Sequence, residues 1–225
     1  MRPVARLCLV LVSYAALSSL TTFGAYRHVL GVVNQTDRGH LDSQEAAVGA
    51  NVYSCDLLDT NQGGNMRVRV GASQIYLAPM SFAQLEADGG TVQVLAEGGT
   101  IAFSEPSTGN IAIRTPAGII RADGGSAAAG EVTYKNANEI IITAMHGNLT
   151  LDNGGEFRAI PEGKSADVTF ENALAEHCSE EAPGGSQQNV PARKIGFGFI
   201  VAPVVGVGGY LLWRNLAESQ SKPGN

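Results

Sequence analysis

The residues best suited to chemistry lie in a short acidic stretch, Glu176-His177-Cys178, which two further glutamates follow closely. Zinc takes His, Cys and carboxylate ligands, but a zinc site needs three or four ligands that converge. The other histidines, His28, His40 and His146, lie far away in the sequence. We therefore interpret this stretch as a solvated linker and predict no metal site.

Two glycine-bearing stretches approach catalytic or cofactor motifs without completing them. Gly124-Gly125-Ser126-Ala127-Ala128 resembles the turn that carries a nucleophilic serine, but it ends on Ala where Gly is needed. Gly196-Phe197-Gly198 opens like a dinucleotide-binding turn, yet Val201 occupies the position of the third glycine. The chain has no phosphate-binding loop, no His-Glu-x-x-His and no Cys-x-x-Cys. We expect a protein that is not an enzyme and binds no cofactor.

Cysteine offers a structural role instead. Cys8 lies in an apolar N-terminal segment, so export of the remaining chain would leave Cys55 and Cys178 as an even pair in an oxidising compartment. We predict a disulfide between them, which would stabilise the fold by about 4–5 kcal/mol on the chain-entropy model. Two unpaired buried thiols are the alternative, because the sequence does not show that their Cα atoms approach.

The N-terminal segment, residues 1–25, determines where the rest of the chain goes. Arg2 and Arg6 precede the apolar run 7–20, which is the arrangement of an export signal. Ala16-Leu17-Ser18 offers a small-x-small cleavage site. A signal-anchor that stays uncleaved fits almost as well, because uncharged residues continue to Tyr26. Both interpretations place the following residues outside the cytoplasm.

A second apolar segment lies near the C-terminus. Residues 195–213 carry no charge, and at about 1.5 Å per residue a helix of this length matches the bilayer core. We predict a transmembrane helix there, followed by a short tail, residues 214–225. The alternative is a glycine-rich pair of buried strands, since five glycines and Pro203 make a poor helix in water.

The proposed helix carries a stripe of small residues. Gly198, Ala202 and Gly206 recur at spacings of four on one helix face, and small residues let another helix approach closely. We predict a helix–helix contact at this stripe, which could join copies of the chain into a homo-oligomer. The simpler explanation is that membrane helices tolerate glycine freely.

The middle of the chain, residues 51–170, changes to a period of two. Alternating stretches typical of half-buried strands are Met66–Val70, Thr91–Leu95, Asn110–Arg114, Asn148–Leu151 and Asp167–Phe170. Breaks that contain Gly-Gly separate them, among others at Gln62-Gly63-Gly64-Asn65 and Asp152-Asn153-Gly154-Gly155, where tight turns need positive φ angles. No stretch of ten or more residues has a helical period, which excludes βαβ units.

We therefore predict an all-β domain over residues 51–170. A linker that could hold a short helix, residues 26–50, precedes it, and a flexible linker, residues 171–194, follows it. Strands with glycine corners and one apolar face each suit a β-solenoid or a roll-like sandwich whose rungs stack. No repeat is regular enough to prove rungs, so a small barrel or a two-sheet sandwich stays open.

Residues 51–170 also resemble the FecR-type domain. Val52-Tyr53-Ser54-Cys55-Asp56-Leu57-Leu58-Asp59-Thr60 is similar to the opening of that family, where an aromatic residue, Gly-Asp and Thr precede a strand. Four stretches continue in the family's order: Ile75–Ser81, Val94–Gly99, Ile113–Ala117 and Ile160–Gly163. The resemblance covers roughly half of the chain. It implies an extracytoplasmic, solenoid-like β domain that acts in interactions and signal relay rather than in catalysis.

The sequence departs from that family in two ways. The founding members are transmembrane sigma-factor regulators with a cytoplasmic helical segment, whereas only Met1–Arg6 precede the apolar run here. Cys55 stands where the family usually has Gly, and a membrane span follows the domain. We therefore expect a stand-alone FecR-like envelope protein without the anti-sigma segment.

Charge narrows the range of partners. The net charge is −6 and no basic stripe exists, which excludes a nucleic-acid binder. We expect a protein of the cell membrane whose β domain lies in the periplasm and binds a protein partner of the cell envelope. The alternative is an envelope structural protein or a lipid- or glycan-binding protein, which an apolar groove would favour.

Overall fold

The computed structural model describes residues 28–107 and 109–170. These residues form fifteen strands and no helix, so none of them contributes a helix able to cross a membrane. The strands are β1 Val29–Leu41, β2 Gln44–Glu45, β3 Asn51–Tyr53, β4 Leu57–Val70, β5 Ser73–Leu77, β6 Phe82–Asp88, β7 Thr91–Gly98, β8 Thr100–Glu105, β9 Ile111–Thr115, β10 Gly118–Ala122, β11 Ala128–Asn136, β12 Glu139–His146, β13 Leu149–Asn153, β14 Glu156–Ile160 and β15 Ser165–Thr169. The prediction of an all-β domain is confirmed.

All these strands belong to one sheet, whose main path is β14-β13-β10-β9-β7-β6-β4-β5-β8-β11-β12-β15. β1 pairs with β2, β3 and β4 beside this path. Among the described strands only β7 and β9 pair in parallel, and the remaining pairs are antiparallel. Stacked rungs of a parallel solenoid would pair their strands in parallel, so the mostly antiparallel pairing of the described strands does not show such rungs.

The long strand β4 forms the corner of the sheet. Its first residues, Leu57–Asp59, pair with β6, whereas Met66–Val70 pair with β5. β4 therefore divides the sheet into a first arm (β6, β7, β9, β10, β13 and β14) and a second arm (β5, β8, β11, β12 and β15). β1 pairs with both halves of β4 and supports the corner along its length.

The two arms fold over one hydrophobic core. Leu149 of the first arm lies so close to Gly130 of the second arm that a Cβ there would meet its Cδ1 at 2.6 Å. The core cluster is continuous and includes, as its largest fully buried side chains, Phe103, Leu58, Met66, Ile75, Leu77, Leu85, Ile101, Ile113, Ile120, Ile140, Ile142 and Leu149. Burying a Leu, Ile or Phe side chain contributes about 1.5–3 kcal/mol, so this shared core holds the folded-over sheet together.

The sheet begins earlier than the sequence indicated. Residues 26–50 were predicted as a linker with a short helix, but β1 occupies Val29–Leu41 and no helix forms among the described residues of this range. Two of the buried positions of β1 are Gly31 and Gly39, which add nothing to an apolar pattern. A Cβ at Gly31 would lie 2.8 Å from the Arg69 carbonyl oxygen, and one at Gly39 would lie 2.7 Å from Met66 Cε. Close packing of β1 against β4 therefore requires glycine at these two positions, and glycine weakens the apolar pattern from which the strand could be predicted.

The break predicted at residues 62–65 is a bulge inside β4 rather than a turn between two strands. Asp37 pairs with Asn65 and Gly39 with Thr60, so β4 has extra residues between these two pairs. The guanidinium of Arg38 donates hydrogen bonds to the carbonyl oxygens of Gln62 and Gly63, at 3.0 and 2.6 Å. These bonds satisfy main-chain acceptors that the bulge removes from the ladder.

Candidate partner-binding edge

The first arm ends in a hairpin whose outer strand is β14. Residues 154 and 155 form a two-residue turn between Asn153 and Glu156, with φ angles of 63° and 113° that only glycine adopts at low cost. The N–H of Gly155 also donates to the side chain of Asp152, at 3.1 Å. The turn predicted at residues 152–155 is therefore confirmed, and it sets the register of β14 against β13.

The two faces of β14 differ in character. Arg158 and Ile160 lie opposite the buried residues Leu151 and Leu149, so they lie on the face toward the core. Phe157 and Ala159 lie on the outer face. Phe157 is 70% exposed, the largest value among the exposed large apolar side chains of the described residues. An aromatic side chain so exposed at the end of a sheet marks a candidate contact surface.

Within the described residues, the backbone of β14 is paired on one side only. Asn153 and Glu156 flank a two-residue turn, and such residues bond to each other through their main-chain groups. Main-chain groups alternate in direction along an antiparallel strand, so those of Phe157 and Ala159 point away from β13. Among the described strands, β13 is the only partner of β14. The edge therefore presents unshared main-chain donors and acceptors beside an exposed Phe.

Charged side chains flank the exposed Phe. Glu156 Oε1 accepts hydrogen bonds from Nε and Nη2 of Arg158, both at 3.1 Å, on the face opposite to Phe157. The Glu156 side chain is 57% exposed and that of Arg158 is 28% exposed. An ion pair with one side chain this exposed adds little to stability.

The described part of the chain also contains a small pocket of mixed polarity. Its volume is about 180 Å³, and it is lined by Thr91, Glu105, Pro106, Ser107, Gly109, Asn110, Ile111, Arg121, Ala122, Gly125 and Ser126. Ser126, which the sequence placed in an incomplete nucleophile motif, lies at this pocket. No cluster of three or more potential metal ligands occurs in residues 28–107 and 109–170.

Glu105 is the buried ionisable group of this pocket, with 5% exposure. Its Oε2 accepts the N–H of Ile111 at 3.1 Å. Burial raises the pKa of the Glu105 carboxyl, and hydrogen bonds from the N–H groups of Ile111 and Ala122 oppose part of that rise. Glu105 belongs to β8 in the second arm, whereas Ile111 and Ala122 belong to the first. The carboxyl therefore has a structural role, joining the two arms.

Cys55 occupies the turn between β3 and β4. It is disulfide-bonded, and neither of the other two cysteines lies among the described residues, so its pairing with Cys178 stays a prediction. Its φ of 67° falls in the left-handed region, and its N–H donates to the carbonyl oxygen of Leu85 at 2.7 Å. Cysteine therefore occupies this position with backbone strain that glycine would not have.

Other predicted site residues lie outside the described residues. These are Cys178 and the small-residue stripe at Gly198, Ala202 and Gly206, together with the apolar segments 1–25 and 195–213. Conversely, sequence reasoning missed Phe157. The sequence nevertheless indicates the strand that carries Phe157. The Gly-Gly turn at residues 154–155 is recognisable, and a β-hairpin requires a second strand directly after such a turn.

Comparison with known proteins does not show a family. No family model matches the chain, and no curated protein matches it. Two crystal structures, each provisionally described as an anti-sigma factor of Parabacteroides distasonis, match with TM-scores of 0.44 and 0.43 at 14% and 13% identity. The match covers 52% of this chain, and 57% and 56% of those chains, so this protein spans little more than half of their length. A likeness this distant assigns no function.

Proposed function

We propose that this protein is a membrane-tethered, non-enzymatic FecR-like protein that binds a protein partner outside the cytoplasm and relays a signal in the cell envelope. The partner adds a strand along β14. The observation that carries the proposal is the outward main chain of Phe157 and Ala159, which pairs with no described strand, beside the exposed Phe157 ring. In strand addition, main-chain hydrogen bonds provide affinity and the side chains beside them provide specificity.

The small pocket described above suits a lipid or glycan ligand poorly. The pocket of about 180 Å³ is of mixed polarity, and Glu105, Asn110 and Arg121 are among its lining residues. Sites for small organic ligands usually measure about 300–1,000 Å³ and are mostly apolar. This pocket therefore does not support the alternative function of an envelope lipid- or glycan-binding protein.

The location and the tether rest on the sequence. The apolar segment 1–25 has the features of an export signal, and the segment 195–213 is long and uncharged enough to span a membrane. The disulfide at Cys55 supports an oxidising compartment for the domain. The resemblance to the FecR family supports interaction and signal relay as the role.

Protease accessibility tests the location. We expect the domain to be cut only after the outer barrier of the cell is opened, on a chain that begins near Ser19 if the signal is cleaved. Sequencing of the mature N-terminus in the same experiment distinguishes a cleaved signal from an anchor. A domain that stays protected until the cytoplasmic membrane is breached would place it in the cytoplasm and contradict the proposal.

Photo-crosslinking tests binding along β14. With benzoylphenylalanine in place of Phe157, we expect a crosslinked product in cells, and Ala159→Pro should abolish it. The N–H of Ala159 points away from β13, so proline removes an outward donor without removing a bond of the hairpin. The same probe in place of Val48, which is 66% exposed but lies outside every strand, is the matched control. An unchanged product with Ala159→Pro would rule out strand addition at this edge.

A further inference from the structure

We propose that the partner of β14 is a second copy of this chain, joined edge to edge by antiparallel pairing of the two β14 strands. This inference rests on the proposed function, since it names the occupant of the same edge. Its basis is that β14 is complementary to itself in both charge and hydrogen bonding. A symmetric dimer brings identical edges together, so such self-complementarity is what it requires.

Main-chain geometry restricts the register. The main-chain groups of Phe157 and Ala159 point to the free edge. The two-fold axis of a symmetric antiparallel pair can therefore pass between the two Phe157 residues or between the two Ala159 residues, whereas an axis at Arg158 would place Arg158 opposite Arg158. A pair centred on Phe157 lets the two Phe157 residues exchange both main-chain hydrogen bonds. It also places Glu156 opposite Arg158 of the second copy, whereas a pair centred on Ala159 places Arg158 opposite Ile160.

The side chains favour the register centred on Phe157. Glu156 and Arg158 lie on the face toward the core, so each Glu156 meets the Arg158 of the other copy, twice per dimer. These two residues already form an ion pair at 3.1 Å within one copy, so both side chains can adopt conformations that bring their charges together. On the outer face the two exposed Phe157 rings become cross-strand neighbours, an arrangement that aromatic pairs favour.

The size of this contact implies that the dimer depends on the membrane. Pairing of two five-residue strands buries well under the roughly 1,000 Å² that a stable interface in solution needs. Two domains tethered to one membrane meet at a high effective concentration, which compensates for a small contact. The dimer should therefore be measured with the full chain in membranes.

The experiment uses charge reversal with two differently tagged full-length chains, both carrying benzoylphenylalanine in place of Phe157. The unaltered pair should give a crosslinked product of twice the chain mass that contains both tags. Glu156→Arg alone places arginine opposite arginine, and Arg158→Glu alone places glutamate opposite glutamate. Each single variant should lower the yield about tenfold, because two attractive cross-strand pairs become repulsive. Coexpression of the two single variants should restore the product.

A chain with both substitutions controls for misfolding. It keeps one acid and one base on β14, so it should crosslink to itself at the unaltered yield but not to the unaltered chain. Protease resistance of each variant verifies its folding. If a single variant loses this resistance, the register is tested with the doubly substituted chain. Its crosslinking yield with itself is then compared with its yield with the unaltered chain.

The outcomes separate this inference from the proposed function. A product at position 157 that contains another protein and disappears with Ala159→Pro supports the function and overturns the dimer. A dimer whose crosslinking yield does not change on charge reversal also overturns the register proposed here. Absence of any product at position 157 overturns both the function and the dimer.

Discussion

Cys55 combines a covalent bond with a backbone conformation that favours glycine. Its φ of 67° lies in the left-handed region, which costs a residue with a Cβ roughly 1–2 kcal/mol. The disulfide must outweigh this cost for cysteine to be useful at that position. On the chain-entropy model a bridge across a long loop contributes about 4–5 kcal/mol, which is enough.

Two substitutions separate these contributions at Cys55. Cys55→Ala and Cys55→Gly both remove the disulfide, but only glycine relieves the strain at φ 67°. We expect the glycine variant to be more stable than the alanine variant by about 1 kcal/mol in urea unfolding, and both to be less stable than the unaltered protein. Equal stabilities of the two variants would show that the turn carries no strain.

At the scale of elements, β14 shows which part of a strand the sequence reveals. The turn before it was predictable, because Gly154 and Gly155 supply φ angles that few other residues adopt. The strand itself has no apolar alternation, since Phe157 is exposed and Ile160 is its one fully buried residue. A strand at the end of a sheet buries little, so it leaves only a weak hydropathy signal.

β1 was missed for a different physical reason. Its buried positions include Gly31 and Gly39, where contact with β4 leaves no space for a Cβ. The apolar character of that contact is supplied by β4, through Val68 and Met66. Val33 of β1 is also fully buried, but glycines at the other two buried positions and the polar residues 34–38 between them leave no continuous alternation, so residues 26–50 resembled a linker.

At the scale of the whole molecule, the two arms are joined by polar groups as well as by the core. Glu105 of the second arm accepts main-chain hydrogen bonds from the first arm, and the hydroxyl of Tyr134 in β11 donates to the carbonyl oxygen of Ala96 in β7. Burial raises the pKa of Tyr134, and the charge of Glu97 adds to the rise, so its hydroxyl stays a donor. These bonds fix how the arms meet.

Glu105 makes stability depend on pH. Its pKa in the folded protein lies above the ordinary value of 4.5, so above that value the folded state retains a proton that the unfolded state has lost. The free energy of unfolding therefore falls as the pH rises from about 4.5 through the raised pKa.

Glu105→Gln removes this contribution. We expect the difference in unfolding free energy, unaltered protein minus variant, to decrease as the pH rises through this window and then to level off. Urea unfolding of both proteins at a series of pH values between about 4 and 8 measures it. A difference that stays constant, or that increases with pH, would contradict a buried carboxyl that favours its protonated form.

The sequence by itself determined the class of the domain and several of its turns. Alternation along Met66–Val70 and Thr91–Leu95, with glycines between strands, leaves no alternative to β structure, because local periodicity and φ requirements act within a few residues. It also determined the absence of complete catalytic motifs. The tertiary structure alone decided that β4 forms a corner, that β1 belongs to the sheet and that β14 is an edge. Those features depend on pairing between distant residues, since which strand lies at an edge follows from every other pairing in the sheet.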